Sequence, residues 1–267
     1  MFRVWTRVES GMRSLVRWLC QRILPRISYP VVRGPLRGMR FILGAAAGSG
    51  GGASVYVNMV EPQKTECLVR ILKPGQVVFD VGANIGYYTL LASRLTGQTG
   101  KVLAFEPSPR NVSYLYRHLA LNRIRNAAVL PAACSDHTGL SSFSEGADCA
   151  TGRLWERDAR SAESGLAVIA TVSIDDVVRE SGLVPDVIKI DVEGAEEHVL
   201  RGAYQSISRA LPVLLVAMHS ASLRLSCTDY LVTLGYEVTA VCEDAPGDVE
   251  LLFEPSATPD CAKHPAG

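Results

Sequence analysis

Residues Val77 to Leu95, VVFDVGANIGYYTLLASRL, constrain the fold more than any other stretch. An apolar run ends in an acid, Asp80. A loop carrying Gly82, Asn84 and Gly86 follows, and a helical pattern begins at Tyr87. Strand, glycine turn and helix in that order form the opening unit of a parallel α/β sheet, with a ligand site where the strand ends.

The pattern repeats downstream. KVLAFEP reads as a second strand, and SPRNVSYLYRHLALN as a helix whose start is marked by Ser108 and Pro109. AAVLPAACS reads as a third strand. DVIKIDVEG and LPVLLVAMHS are buried strands, each followed by a helix, and YEVTAV and VELLFEP close the chain. Between Gly139 and Ala170 serine, glycine and charge predict loops with a hairpin strand or two. Continuous apolar strands alternating with helices mean a mostly parallel sheet covered on both faces.

Composition excludes some classes. The 27 basic and 27 acidic residues cancel, so the chain is no globally basic nucleic-acid binder. Seven cysteines without a CxxC pair predict neither a disulfide framework nor a zinc site, and favour a reducing cytoplasm. Residues 1–27 hold six arginines and one glutamate. At helical spacing Val4, Trp5, Val8, Met12, Leu15, Val16 and Leu19 share one face, and Arg3, Arg7, Arg13 and Arg17 the other. This basic amphipathic helix suits either a packed partner surface or peripheral contact with the inner face of a membrane. The predicted division is 1–54 for that helix and a glycine-rich linker, 55–255 for the catalytic domain, and 256–267 for a disordered tail.

Ligands in such sheets bind beyond the strands' carboxyl ends. The candidate cofactor residues are therefore Asp80, Gly82, Asn84, Gly86, Glu106, Ser135 and Asp136. The loop carries Asn84 where a dinucleotide fingerprint has its central glycine, and Asp80 would repel a diphosphate. A zwitterionic cation such as S-adenosylmethionine fits better. Glu106 is placed for the ribose hydroxyls and Asp136, aided by Ser135, for an adenine amino group. Lys189 and Asp191 share one face of a buried strand, so they are paired or functional. Tyr87 and Tyr88 are candidates to stack on a sugar.

These blocks, with DVGANIGYYT and KIDVEGAE foremost, resemble the FkbM family of S-adenosylmethionine-dependent methyltransferases from about Lys73 to Tyr236. The resemblance implies a Rossmann-like class I methyltransferase fold with a seven-stranded, mostly parallel sheet. It also implies O-methylation of a hydroxyl on a sugar, glycan or secondary metabolite. Many relatives carry a glutamate where this chain has Ala217. Asp191 and His219 are the candidate proton acceptors, with Lys189 orienting Asp191 or stabilising an alkoxide. No metal is assigned, although Asp136, Asp191 and Glu193 could share a rim around Mg²⁺. An NAD-dependent oxidoreductase and a catalytically silent scaffold are the rival readings.

Overall fold

The computed structural model describes residues 27–45, 52–144, 153–155, 166–245 and 248–256. The predicted N-terminal helix, most of the glycine tract, much of the segment between 145 and 165, and the C-terminal tail lie outside the described residues.

Seven strands make the principal sheet. Numbered along the chain they are β1 (Val77–Val81), β2 (Lys101–Phe105), β3 (Ala127–Leu130), β4 (Val187–Ile190), β5 (Val213–Met218), β6 (Tyr236–Ala245) and β7 (Asp248–Pro255). They lie in the order β3-β2-β1-β4-β5-β7-β6. The first five are parallel, and β7 runs antiparallel to both its neighbours. The chain thus starts at β1, builds to one edge, and restarts at β4 beside β1. That reversal opens a crevice between β1 and β4.

The helices are α1 (Ala53–Tyr56), α2 (Pro62–Ile71), α3 (Tyr87–Thr96), α4 (Pro109–Leu121), α5 (Ile174–Ser181), α6 (Glu196–Arg201), α7 (Tyr204–Ala210) and α8 (Ala221–Thr233). Strand alternation feeds two apolar layers. Val78 joins Leu68, Leu90, Leu91 and Leu115 of α2, α3 and α4. Its neighbour Phe79 joins Ile174, Ile207 and Leu231 of α5, α7 and α8 on the opposite face. Helix starts follow the polar signals: Pro109 is the first residue of α4. Ser173 and Ser220 cap α5 and α8 by accepting from Asp176 N and Leu223 N at 3.1 and 3.2 Å.

One expectation is corrected. The third strand is two strands, because Pro131 has no N–H to continue a ladder. Ala127–Leu130 stays in the principal sheet, whereas Ala133–Cys134 pairs with Leu166–Val172 in a second sheet. That sheet also takes in Gly139–Ser144 and Arg153–Trp155, which pair antiparallel in the segment where a hairpin strand or two was expected. The chain before residue 54 also packs on the core. Ser28–Pro30 and Arg40–Ile42 form a hairpin, and Val31, Leu36, Phe41 and Ile42 are buried in the layer of α4. Among the described residues no helix is long and apolar enough to cross a membrane.

Candidate active site

The glycine loop is shaped by the neighbouring strand end. Gly82 has φ +76°, and a Cβ there would lie 1.8 Å from the carbonyl oxygen of Asp191. Only glycine lets the β1 loop press against the end of β4. Asn84, also at positive φ, accepts from Ile85 N at 2.8 Å through its own Oδ1. Gly86 then opens α3, whose first N–H groups have no acceptor within the helix.

Glu106, beyond the end of β2, is buried and drawn into this loop. It accepts from Asn84 N at 2.7 Å, Ser108 N at 2.9 Å and Asn111 Nδ2 at 3.2 Å. Burial pushes its carboxyl up, against those three bonds. A carboxylate offers about four acceptor positions, so these three bonds leave one open among the described residues. Asp80 is not the open rim acid expected of it. It is 1% exposed, accepts from Thr89 Oγ1 at 2.6 Å, and lies 3.3 Å from Lys189 Nζ.

Lys189 stands opposite Asp80 in the β1–β4 register. Its ammonium donates to the Gly82 carbonyl at 2.9 Å, and it reaches Asp191 Oδ2 only at 3.8 Å. It therefore locks the glycine loop to β4. The cation closest to Asp191 is Lys64 of α2, at 3.0 Å. Lys64 is 1% exposed and also pairs with Glu61 at 2.8 Å and Glu250 at 2.9 Å. Burial opposes its charge, but the surrounding carboxylates raise its pKa well above the ordinary value.

Glu250 answers the missing acid of β5. It sits directly across from Ala217 on β7, so a carboxylate is presented on the same face from the adjacent strand. Burial pushes it up to about 7, partly offset by Lys64. Tyr88 is buried beneath this network and donates to Glu61 at 2.9 Å. Neither it nor the buried Tyr87 is a surface for a sugar.

Asp191 and His219 do come together. His219 Nε2 is 3.5 Å from Asp191 Oδ1 and 3.8 Å from Glu193 Oε2, while Nδ1 donates to Glu196 Oε1 at 2.7 Å. Burial opposes the imidazolium, yet Glu196, Asp191 and Glu193 together raise its pKa to about 9. Those carboxylates favour the imidazolium form, which works against the free-base role expected of the ring. For Asp191 burial would raise the pKa, but Lys64, Lys189 and His219 hold it well below the usual carboxylate range. Ser135 and Asp136 form a separate cluster. Asp136 accepts from His137 at 2.6 Å, His198 at 3.1 Å and Ser135 Oγ at 3.2 Å, bonds that, led by that of His137, lower its carboxyl to about 2.

Sequence reasoning passed over Lys64, Glu61, Glu196 and Glu250. The signal was present for two of them. Lys64 falls on the stripe of α2 that buries Cys67 and Leu68, and Glu250 interrupts the apolar run VELLF.

Residues 80–238, more than half of the chain, match the Methyltransferase FkbM domain. The chain belongs to the FkbM methyltransferase family. It is 28% identical over 207 residues to the 31-O-demethyl-FK506 methyltransferase FkbM of Streptomyces tacrolimicus, covering 66% of this chain and 77% of that one. With the hexuronic acid methyltransferase AglP of Haloferax volcanii it shares 32% identity over 158 residues, 57% of this chain and 60% of the relative. The crystal structure of an FkbM methyltransferase from Methylobacillus flagellatus superimposes with a TM-score of 0.51 at 20% identity, over 78% of this chain and 56% of that chain. This likeness supports the fold alone. The chain therefore spans less than two thirds of AglP and of the Methylobacillus protein. The seven-stranded sheet is the class I methyltransferase fold of the FkbM family.

Proposed function

We propose that this chain is an S-adenosylmethionine-dependent O-methyltransferase acting on a hydroxyl of a sugar, glycan or secondary metabolite. The observation that carries the reading is Asp191, kept ionised between Lys64 and His219 at the mouth of the β1–β4 crevice. The names of the two relatives, one acting on an FK506 derivative and one on a hexuronic acid, support an oxygen acceptor.

The residues present suit the cofactor. The Gly82–Gly86 loop gives backbone contact, Glu106 keeps one acceptor position for ribose, and the start of α3 favours a carboxylate. When bound, S-adenosylmethionine supplies an electrophilic methyl group on a sulfonium and leaves as the neutral thioether. Lys189 holds the loop against β4, so the cofactor crevice and Asp191 keep a fixed separation. Asp191 Oδ1, turned away from Lys64, accepts the acceptor's hydroxyl proton and orients its oxygen; such positioning supplies much of a transfer enzyme's rate. As the new O–C bond forms the hydroxyl proton becomes strongly acidic, and a carboxylate as weakly basic as Asp191 suffices to take it. His219, as imidazolium, offsets negative charge developing beside Asp191.

Labelled methyl transfer to sugars, uronic acids, 31-O-demethyl-FK506 and small phenols tests the proposal. Label is expected on an oxygen of at least one acceptor. Asp191→Asn should lower turnover by about 10²–10⁴-fold while S-adenosylhomocysteine affinity stays within a factor of about three. Binding of S-adenosylhomocysteine with no transfer to any acceptor would favour the silent scaffold. Binding of NAD in its place would favour the oxidoreductase.

A further inference from the structure

The formal charge of zero hides a division along the chain. Before Asp136 there are 18 basic and 5 acidic residues, and from Asp136 onward there are 9 and 22. So large a charge asymmetry between halves is a mark of nucleic-acid or membrane partners. The fold turns the basic half into a face. Residues 27–60, 81–105 and 107–135 contain no acid, and their eight arginines and one lysine are all exposed. Every ion pair among the described residues belongs to Lys64, Lys189, Arg179, Arg201 or a histidine, so the fold neutralises none of these nine cations there.

Hydrogen bonds hold the basic segments side by side. Arg94, in the last turn of α3, donates to the Arg37 carbonyl at 2.8 Å. Arg40 N donates at 2.7 Å to Asn122 Oδ1, next to Arg123. Asn126 Nδ2 donates to the Ser93 carbonyl at 3.1 Å, so the turn holding Arg123 and Arg125 lies against the end of α3. Apolar side chains are set among these arginines. Ile27, Val32 and Met59 are each more than half exposed, and Tyr116 nearly so. Val32 N donates to the Tyr56 carbonyl at 2.9 Å, which brings Val32 and Arg33 beside the segment carrying Val57 and Met59. Nucleic-acid phosphates have no use for such aliphatic groups. A lipid surface takes both, the apolar side chains at the acyl boundary and the guanidinium groups at the phosphates. Residues 1–26, whose sequence is basic and amphipathic, join the domain at Ile27.

We infer that the hairpin, the end of α3 and the C-terminal half of α4 form a docking face for an anionic lipid membrane, on which the chain lies peripherally. Lys101 opens β2, and Arg123 and Arg125 shortly precede β3, so all three stand at the amino ends of parallel strands. The crevice lies at the carboxyl ends. Docking therefore leaves the crevice open, and the inference does not depend on the reaction proposed above.

The test mixes the full chain with vesicles of phosphatidylglycerol and phosphatidylcholine in equal parts, and with phosphatidylcholine alone, and reads bound protein by flotation. Binding is expected to the anionic vesicles only, and to weaken as added salt screens the arginines. Each arginine near such a surface is worth about fivefold in affinity, so Arg33→Gln, Arg37→Gln and Arg125→Gln together should weaken binding about a hundredfold. These three side chains are exposed and make no hydrogen bond among the described residues, so the melting temperature should not move. If it falls, Arg125→Gln alone, with an unchanged melt, should still weaken binding about fivefold. Equal binding of parent and variants to the anionic vesicles would assign the contact to residues 1–26 alone and overturn the inference. Equal binding to both kinds of vesicle would overturn it too. So would no vesicle binding, whether or not the chain then binds duplex DNA, RNA or a second copy of itself.

Discussion

Three carboxylates converge on Lys64. Its ammonium meets Glu61, Asp191 and Glu250 within 3.0 Å and lies 5.5 Å from the centre of the Tyr88 ring. Lys64→Met keeps the length of the chain and removes the charge. Breaking a buried pair costs about 3–5 kcal/mol, because its partners stay buried and unpaired. Urea unfolding should show a loss of that order, with part of it recovered in the Lys64→Met, Glu250→Gln double variant. Glu250 is the natural second site, since its other oxygen lacks a hydrogen-bond partner among the described residues. An unchanged midpoint in the single variant would mean that the network adds nothing to stability. Gly82 and Gly235 separate two uses of glycine. Both have positive φ, but a Cβ at Gly235 meets nothing within 4 Å, whereas at Gly82 it runs into the Asp191 carbonyl. Gly235→Ala should fold with a loss of about 1–2 kcal/mol, and Gly82→Ala should fail to give soluble protein. At this scale the sequence shows that Lys189 and Asp191 share a face, because that depends only on the period of a strand. It does not show that Lys189 turns to Asp80 and Asp191 to Lys64. Those pairings depend on which strands and helices become neighbours.

Among elements, the join between the N-terminal hairpin and α4 is the most sharply specified. His118 is fully buried in α4, with Nδ1 2.7 Å from the Ile85 carbonyl and Nε2 3.0 Å from Ile42 N. A carbonyl can only accept, so Nδ1 carries the proton and Nε2 takes the N–H of Ile42. Asn122, one turn later, accepts from Arg40 N at 2.7 Å and donates to its carbonyl at 2.9 Å. A second proton on His118 would break the bond to Ile42. Burial, together with the charge of Arg117, accordingly lowers its pKa, although the bond to Ile85 works the other way. The sign follows directly: the unfolded chain binds more protons than the folded one below the unfolded pKa of about 6.5. Stability from this group is therefore complete above that pH and is lost as pH falls toward the lower folded value. Thermal melts between pH 8 and pH 5 should show the decline, and His118→Gln should flatten it. An equally steep decline in the variant would place the effect elsewhere. None of this was legible beforehand, because a three-residue strand such as Ser28–Pro30 has no periodicity to read. Pro131 was legible in principle: a proline inside an apolar run argues against an uninterrupted strand.

The molecule as a whole was the most readable level. The parallel strands VVFDV, VIKI and VLLVAM are covered on both faces, so they are apolar apart from Asp80 and Lys189, and the helices between them mark the sheet as parallel. The second sheet was legible only in part: a hairpin strand or two was expected between Gly139 and Ala170, but Ala133–Cys134 is too short to show a period and finds its partner, Leu166–Val172, well along the chain. The same topology has a consequence for ligand binding. Loops from β1 and β2 build one wall of the crevice, and the end of β4 supplies the other, so the crevice lies where the two runs of the sheet meet. A ligand that touches both walls must be released before either run can unfold. It then stabilises the native state by mass action, about 2.7 kcal/mol at a hundred times its dissociation constant. For a domain of this size each kcal/mol moves the melting temperature by about 2–4 °C, so S-adenosylhomocysteine should raise it by roughly 5–10 °C. NAD at the same concentration should leave it unchanged, because Asn84 occupies the close-approach position of a diphosphate loop. The transition should remain single, since a bridging ligand couples the two runs of strands rather than protecting one. A shift with NAD as large as that with S-adenosylhomocysteine, or a melt that splits in two on adding either, would show that the crevice is not the bridging nucleoside site described here.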